Sequence, residues 1–224
     1  MIAWRTEMPS LFSARNVILA AVAAYALAVG GAALERRAAG VDADALVAAA
    51  ISMSGAPADR AAAMEGFMRP MIANYPIVIL IALVIGWVGL TTIFFLVLKL
   101  MESGLTWGTV FAATVYAALA QAAARLVLVA ALSAGRQPTA EEVVQGTFLN
   151  ANVAAALSSD SAAWLLALGR SLDALTLLYL MVFTAVLGGS GRSRVSDGTL
   201  ATAVGVTFAL WIVVRVGWAF AFGR

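Results

Sequence analysis

PMIANYPIVILIALVIGWVGLTTIFFLVL, residues 70–98, carries no charge; the chain then passes through Lys99-Leu-Met-Glu-Ser-Gly104 and resumes as LTWGTVFAATVYAALAQAAARLVLVAALSAG, residues 105–135, broken only by Arg125. Each stretch exceeds the roughly 20 apolar residues that cover a ~30 Å hydrocarbon core. In lipid every backbone N–H and C=O must find its partner within the protein, which selects helix. Two such helices joined by so short a polar segment form an αα-hairpin. Pro70 and Pro76 fall near the start of the first, where proline is tolerated. In 112–124 of the second, small residues recur at four-residue spacing, which lets backbones approach. Gly104 and Gly108 add a GxxxG pair at its start.

The pattern repeats on both sides. Asn16–Leu34 is uncharged and stops at Glu35-Arg36-Arg37. Ser161–Gly191 is apolar apart from Arg170 and Asp173, and Gly198–Gly223 apart from Arg215. The expectation is an all-α, polytopic membrane protein forming a single membrane domain over residues 1–224. Its five transmembrane helices are predicted at about 16–34, 70–98, 105–135, 161–191 and 198–223, in one bundle. The first apolar run is longer than the roughly 7–15 residues of a signal h-region, so it reads as an uncleaved span. Composition agrees: 63% of residues are hydrophobic and 12% charged, with mean hydropathy +0.96. A soluble domain is about one-quarter charged.

Two absences narrow the chemistry. The chain has no cysteine, which removes thiolate nucleophiles and iron–sulfur ligation. It has no histidine, which removes the commonest general base and transition-metal ligand. An intramembrane aspartyl protease needs two aspartates at one depth, and Asp173 is the one aspartate in an expected span. No catalytic residue, metal site or cofactor is predicted. All but one of the 14 basic residues are arginine, scattered rather than clustered, which argues against nucleic acid.

The loop 36–69 is predicted to hold short amphipathic helices. Leu46, Val47, Ala50 and Ile51 share one face, and after Ser54-Gly-Ala-Pro57 a second pattern aligns Met64, Phe67, Met68 and Met71. This loop and the acidic, polar connection 136–160 read either as membrane-surface packing or as a partner surface. The two short hairpins carry Lys99, Arg192 and Arg194, whereas the 136–160 connection is acidic at Glu141-Glu142. The positive-inside rule then places the N-terminus in the cytoplasm. Trp107, Trp164, Trp211 and Trp218 fall near span ends and read as interfacial anchors.

Arg125, Arg170, Asp173 and Arg215 interrupt apolar spans, where a charge costs several kcal/mol unless paired or facing water. Counted along antiparallel helices at 1.5 Å per residue, all four fall roughly 13–18 Å in from one end. Gln121 stands one turn from Arg125. One reading is a packing clamp, with Asp173 and Arg215 as a structural ion pair and the other arginines snorkelling. The other is a ligand site in which Arg125, Arg170, Arg215 and Gln121 hold an anion or a lipid headgroup, because guanidinium pairs bidentately with phosphate and carboxylate.

Three segments carry a resemblance. Leu98–Phe111, LKLMESGLTWGTVF, is similar to the second-to-third turn of the YIP (Ypt/Rab-interacting protein) family. Ser171–Leu180, SLDALTLLYL, resembles the start of that family's fourth span, and Ser196–Val204 with Trp211 and Arg215 resembles its last. The bacterial branch is the closer match, over roughly residues 70–222. The resemblance implies a five-helix bundle with a cytoplasmic N-terminus. It sets Asp173 at the place of an acidic residue of the fourth span and Arg215 at that of a basic residue of the fifth. Arg170 departs from the family pattern, where a small residue is expected. Eukaryotic members are linked to Rab GTPases and vesicle traffic; bacterial members imply no defined activity.

The expected protein is therefore a non-enzymatic inner-membrane scaffold, or a module for lipid binding or anionic-solute binding. The alternative is a small transport or channel component for an anionic solute. Expected partners are membrane lipids and a homo-oligomer or larger membrane complex.

Overall fold

Asn74 and Pro76 set where the second long helix begins. The computed structural model describes residues 8–54, 57–145, 147–149, 152–153, 157 and 161–222. Gly55, Ala56, Gly223 and part of the 136–160 connection lie outside them. In chain order the helices are α1 (Met8–Leu11), α2 (Ala14–Ala39), α3 (Ala43–Ser54), α4 (Ala58–Ala73), α5 (Tyr75–Leu100), α6 (Trp107–Ser133), α7 (Ala140–Gln145), α8 (Ala163–Ser171), α9 (Ala174–Gly189) and α10 (Asp197–Phe222). Pro70, expected at the start of the second span, lies inside α4. The span starts at Tyr75, after Asn74. The Asn74 amide N–H and side chain both donate to the Pro70 carbonyl at 2.9 Å, and its own carbonyl accepts from Ile77.

Local side chains mark the other ends. Ser13, Asp42, Thr106, Asp173 and Ser196 each accept, through a side-chain oxygen, the backbone N–H three residues on, as N-caps do. Gly40, at φ +63°, ends α2 in the left-handed region. α2 thus runs five residues past its expected end at Leu34, through Glu35-Arg36-Arg37, and both Glu35 and Arg36 find partners within the protein.

The fourth apolar stretch departs most from expectation. The continuous span predicted over 161–191 is two helices, α8 and α9, with a break at Leu172-Asp173. Asp173 adopts an extended conformation, φ −106° and ψ 133°, and its carboxylate caps α9. The Leu172 carbonyl accepts the Val153 N–H at 3.3 Å, so Asn152 and Asp173 form an isolated antiparallel bridge. The Leu172 N–H and carbonyl, the Asp173 carbonyl and the Thr176 N–H at the break all have partners, which is what a break in a low-dielectric setting favours.

Among the described residues four helices are long and apolar enough to cross a membrane: α2, α5, α6 and α10. Only 17% of the most apolar window of each is buried within the protein. α5 exposes Ile77, Ile81, Ile85 and Ile93, and α10 exposes Leu210, Val213, Val214 and Phe220. Contiguous apolar surface on this scale marks a lipid-facing protein. The chain is a helical, multi-pass membrane protein.

The chain packs as two compact units, whose boundaries fall inside α2, α5 and α6. The first takes the described residues of Met1–Ala24, Ile85–Gln121 and Asn150–Arg224. Its core stacks Phe94 on Phe183, with ring centroids 4.7 Å apart, and joins α5 to α6 through Thr91 and Thr114 hydroxyls at 3.0 Å. α6 is drawn in by its small residues, with Ala112, Ala113 and Ala117 buried, and α10 packs on α8 and α9. The second unit takes Tyr25–Val84 and Ala122–Leu149. There α3 buries Leu46, Val47, Ala49 and Ala50 and packs on α4 and α7. Phe67 and Met71 of α4 are 69% and 40% exposed, so its methionine-rich side is left uncovered. Arg69 ties α4 to α3: it reaches Glu65 at 2.9 Å and Asp44 at 2.8 Å. The Glu65 hydrogen bond first, and then the Asp44 charge, raise its guanidinium pKa above the ordinary value.

Candidate functional site

The charges in the apolar helices divide between the two units. Arg125 belongs to the second, on α6. Its guanidinium donates to Glu35 Oε1 at 2.9 Å, and the Glu35 side chain is only 5% exposed against 42% for Arg125. A carboxylate so far from water persists as an anion only with a partner, so this pair is structural. Glu35 falls on the one buried stripe of α2, with Ala20, Ala24 and Gly31. The sequence reading placed it at a helix end and missed it; the phase of that small-residue stripe is the signal that finds it.

Arg36, the next residue, is fixed differently. Pro76 has no N–H to offer the Ile72 carbonyl, its helical partner four residues back. Arg36 Nη1 donates to that carbonyl at 2.9 Å, and the guanidinium lies 4.0 Å from the centroid of the Tyr75 ring. Cation and carbonyl thus satisfy each other where the helix changes from α4 to α5.

Arg170, Asp173 and Arg215 belong to the first unit. The expected Asp173–Arg215 ion pair does not form. The Asp173 carboxylate is engaged by Thr176, whose N–H and hydroxyl each donate to it at 3.2 Å. Arg215 Nη1 instead donates to Ser171 Oγ at 3.4 Å, and its guanidinium lies 5.2 Å from the Trp211 ring centroid. Ser171 Oγ in turn donates to the Ala167 carbonyl at 2.7 Å. Arg170 is exposed on the last turn of α8 and makes no ion pair among the described residues. Gln121 is half-buried on α6 in the first unit, and its side chain makes no hydrogen bond among the described residues.

An apolar groove of about 500 Å³ lies between α8 and α10, the helices that carry Arg170 and Arg215. Trp164 and Leu168 line it from α8, and Val213, Val216, Gly217 and Phe220 from α10. Arg215 sits in sequence between two of these residues, and Arg170 two positions after Leu168. The arrangement offers an acyl-sized apolar channel whose lining includes neither arginine.

No protein-family model matches the chain, and searches of curated proteins and of solved structures return no significant match.

Proposed function

We propose that the chain is a non-enzymatic membrane scaffold of the YIP type that binds an anionic amphiphile at Arg170 and Arg215. The observation that carries this reading is the apolar groove between α8 and α10, two helices that each carry an arginine with no acidic partner among the described residues. An acyl chain fits the groove's Trp, Leu, Val and Phe lining. A phosphate or carboxylate suits a guanidinium group. Arg125 drops out of the ligand set because Glu35 already neutralises it.

α8 and α9 together are about 37 Å long, enough to complete a fifth crossing as an interrupted span. The short loops with Lys99, Arg192 and Arg194 support a cytoplasmic N-terminus in a bacterial inner membrane. The test is native mass spectrometry of the full chain with phosphatidylglycerol, comparing wild type with the Arg170→Ala/Arg215→Ala double variant. Each charged hydrogen bond is worth about 1.5 kcal/mol or more, so the double variant should bind at least about tenfold more weakly. Equal affinity would reject the site.

A second reading has its own support. Helices broken at mid-length, with freed backbone groups and polar side chains at the break, are how many transporters build substrate sites. The Leu172-Asp173 break beside Arg170 and Arg215 favours an anionic solute carrier. Anion flux into proteoliposomes that disappears in the same double variant supports it; no flux above protein-free vesicles rejects it.

A further inference from the structure

A separate groove of about 340 Å³ opens where the α5–α6 turn meets the α9–α10 loop within the first unit. Phe95, Lys99, Glu102, Gly104, Leu105 and Arg194 line it. None of its three charged side chains forms an ion pair among the described residues. Opposite charges gathered in one groove without pairing leave two cations and one carboxylate available to a ligand.

The groove is held together by specific backbone devices. α5 ends in a Schellman motif: Ser103 N–H donates to the Leu98 carbonyl at 3.1 Å, and Glu102 N–H to Lys99 at 3.0 Å. Glycine is the usual residue at the left-handed position of that motif. Here it is Glu102, at φ 53°, the one non-glycine residue with positive φ among those described. A side chain kept where glycine is favoured points to a use for that side chain. Two residues on, Gly104 is also left-handed, at φ +73°. A Cβ there would lie 2.9 Å from Arg194 Cγ, so the arginine stem rests on bare backbone. The Arg194 N–H donates to the buried Ser103 carbonyl at 2.7 Å, which pins the second loop to the first. Lys99 Nζ lies 5.8 Å from the Phe95 ring centroid, above an apolar floor of Phe95 and Leu105.

We propose that this groove binds the headgroup of an amine-bearing phospholipid of the phosphoethanolamine class. The phosphate diester sits with Lys99 and Arg194, the ammonium with Glu102, and the start of an acyl chain on Phe95 and Leu105. Two cations and one carboxylate match one phosphate and one ammonium, whereas a headgroup without an amine leaves Glu102 facing only negative charge. The groove lies where the end of α5 meets the start of α6, and exposed Leu100 and Trp107 beside it set that level at the membrane interface. None of its residues belongs to the α8–α10 site, so the two proposals stand or fall separately.

The test uses delipidated full-length protein in detergent. Phosphatidylethanolamine, phosphatidylglycerol and diacylglycerol of equal chain length are titrated by native mass spectrometry, with inorganic phosphate as competitor. The expected result, read in the Arg170→Ala/Arg215→Ala background so that the α8–α10 site does not contribute, is tighter binding of phosphatidylethanolamine than of phosphatidylglycerol, by about tenfold for one charged contact. Glu102→Gln should abolish that preference, and Lys99→Gln/Arg194→Gln should weaken the ethanolamine lipid by at least about tenfold, leaving phosphatidylglycerol at Arg170 and Arg215 unchanged. Glu102→Gly serves as the folding control: it should raise Tm by relieving the left-handed strain while losing the preference. Equal affinity for the two phospholipids, equal binding of diacylglycerol, or displacement by phosphate at matching concentration would each overturn the proposal.

Discussion

Arg125 in the second unit and Arg215 in the first are the same residue type in comparably apolar helices, yet they are held in different ways. Arg125 has a buried carboxylate, Glu35, at 2.9 Å. Arg215 has a hydroxyl at 3.4 Å and an indole face, with no acid among the described residues. The acid nearest Arg170 in sequence, Asp173, is occupied by a helix N-terminus. A charge within an apolar run is therefore not one category. In the second unit it closes the structure; in the first it leaves cationic capacity unused.

The comparison breaks most readily at Arg125. Arg125→Ala strands the Glu35 carboxylate in a buried position, and loss of one partner of such a pair costs about 3 kcal/mol or more. For a chain of this size that is a fall in apparent Tm of about 6 °C or more in detergent. Glu35→Leu/Arg125→Met removes both charges and should recover most of the loss, because it leaves no unpaired group. A single variant as stable as wild type would mean that Glu35 is not confined as the structure has it.

Arg36 offers a subtler break, on the same side of the comparison. Arg36→Leu leaves the Ile72 carbonyl with no donor, at a cost of about 1–2 kcal/mol. The cause lies in Pro76, so Pro76→Ala, which restores an N–H four residues on, should shrink that cost. Thermal unfolding of the two single variants and the double variant forms a cycle whose coupling should be favourable by about 1 kcal/mol. Additive losses would show that the carbonyl was satisfied by other means.

These particular residues show how far the sequence is legible. The four long helices follow from uncharged length, and their ends from Ser, Thr and Asp caps, because both signals are local. The break at 172–173 was read as a continuous span because an aspartate in an apolar run looks the same whether it pairs across the membrane or caps a helix. The distinguishing signal is short range: Asp173 is followed three residues later by Thr176, whose N–H and hydroxyl both reach its carboxylate. Glu35 was misread because counting charges ends a span at the first acidic residue, whereas helical phase carries it onto the buried stripe. The hairpin groove was missed because Arg194 reaches Gly104 from 90 positions along the chain, and nothing in local pattern encodes that approach.

Asp173 gives the smallest effect and the finest discrimination. If its role were to neutralise an arginine, Asp173→Asn and Asp173→Ala would be comparably damaging, since each removes the charge. As the N-cap of α9 it acts through a hydrogen-bond acceptor, which asparagine retains. Asn and Asp rank together at this position, and Ala costs about 1 kcal/mol. The expected order of apparent Tm is therefore wild type close to Asp173→Asn, with Asp173→Ala lower by about 2–4 °C. Because the carboxylate does not quench the α8–α10 arginines, Asp173→Asn should also leave phosphatidylglycerol affinity within about twofold, short of the roughly tenfold change that one charged contact gives. A large gain in anion affinity on neutralising Asp173 would instead mean that Arg170 or Arg215 spends part of its time paired with it, and the contrast between the two units would narrow to one of degree.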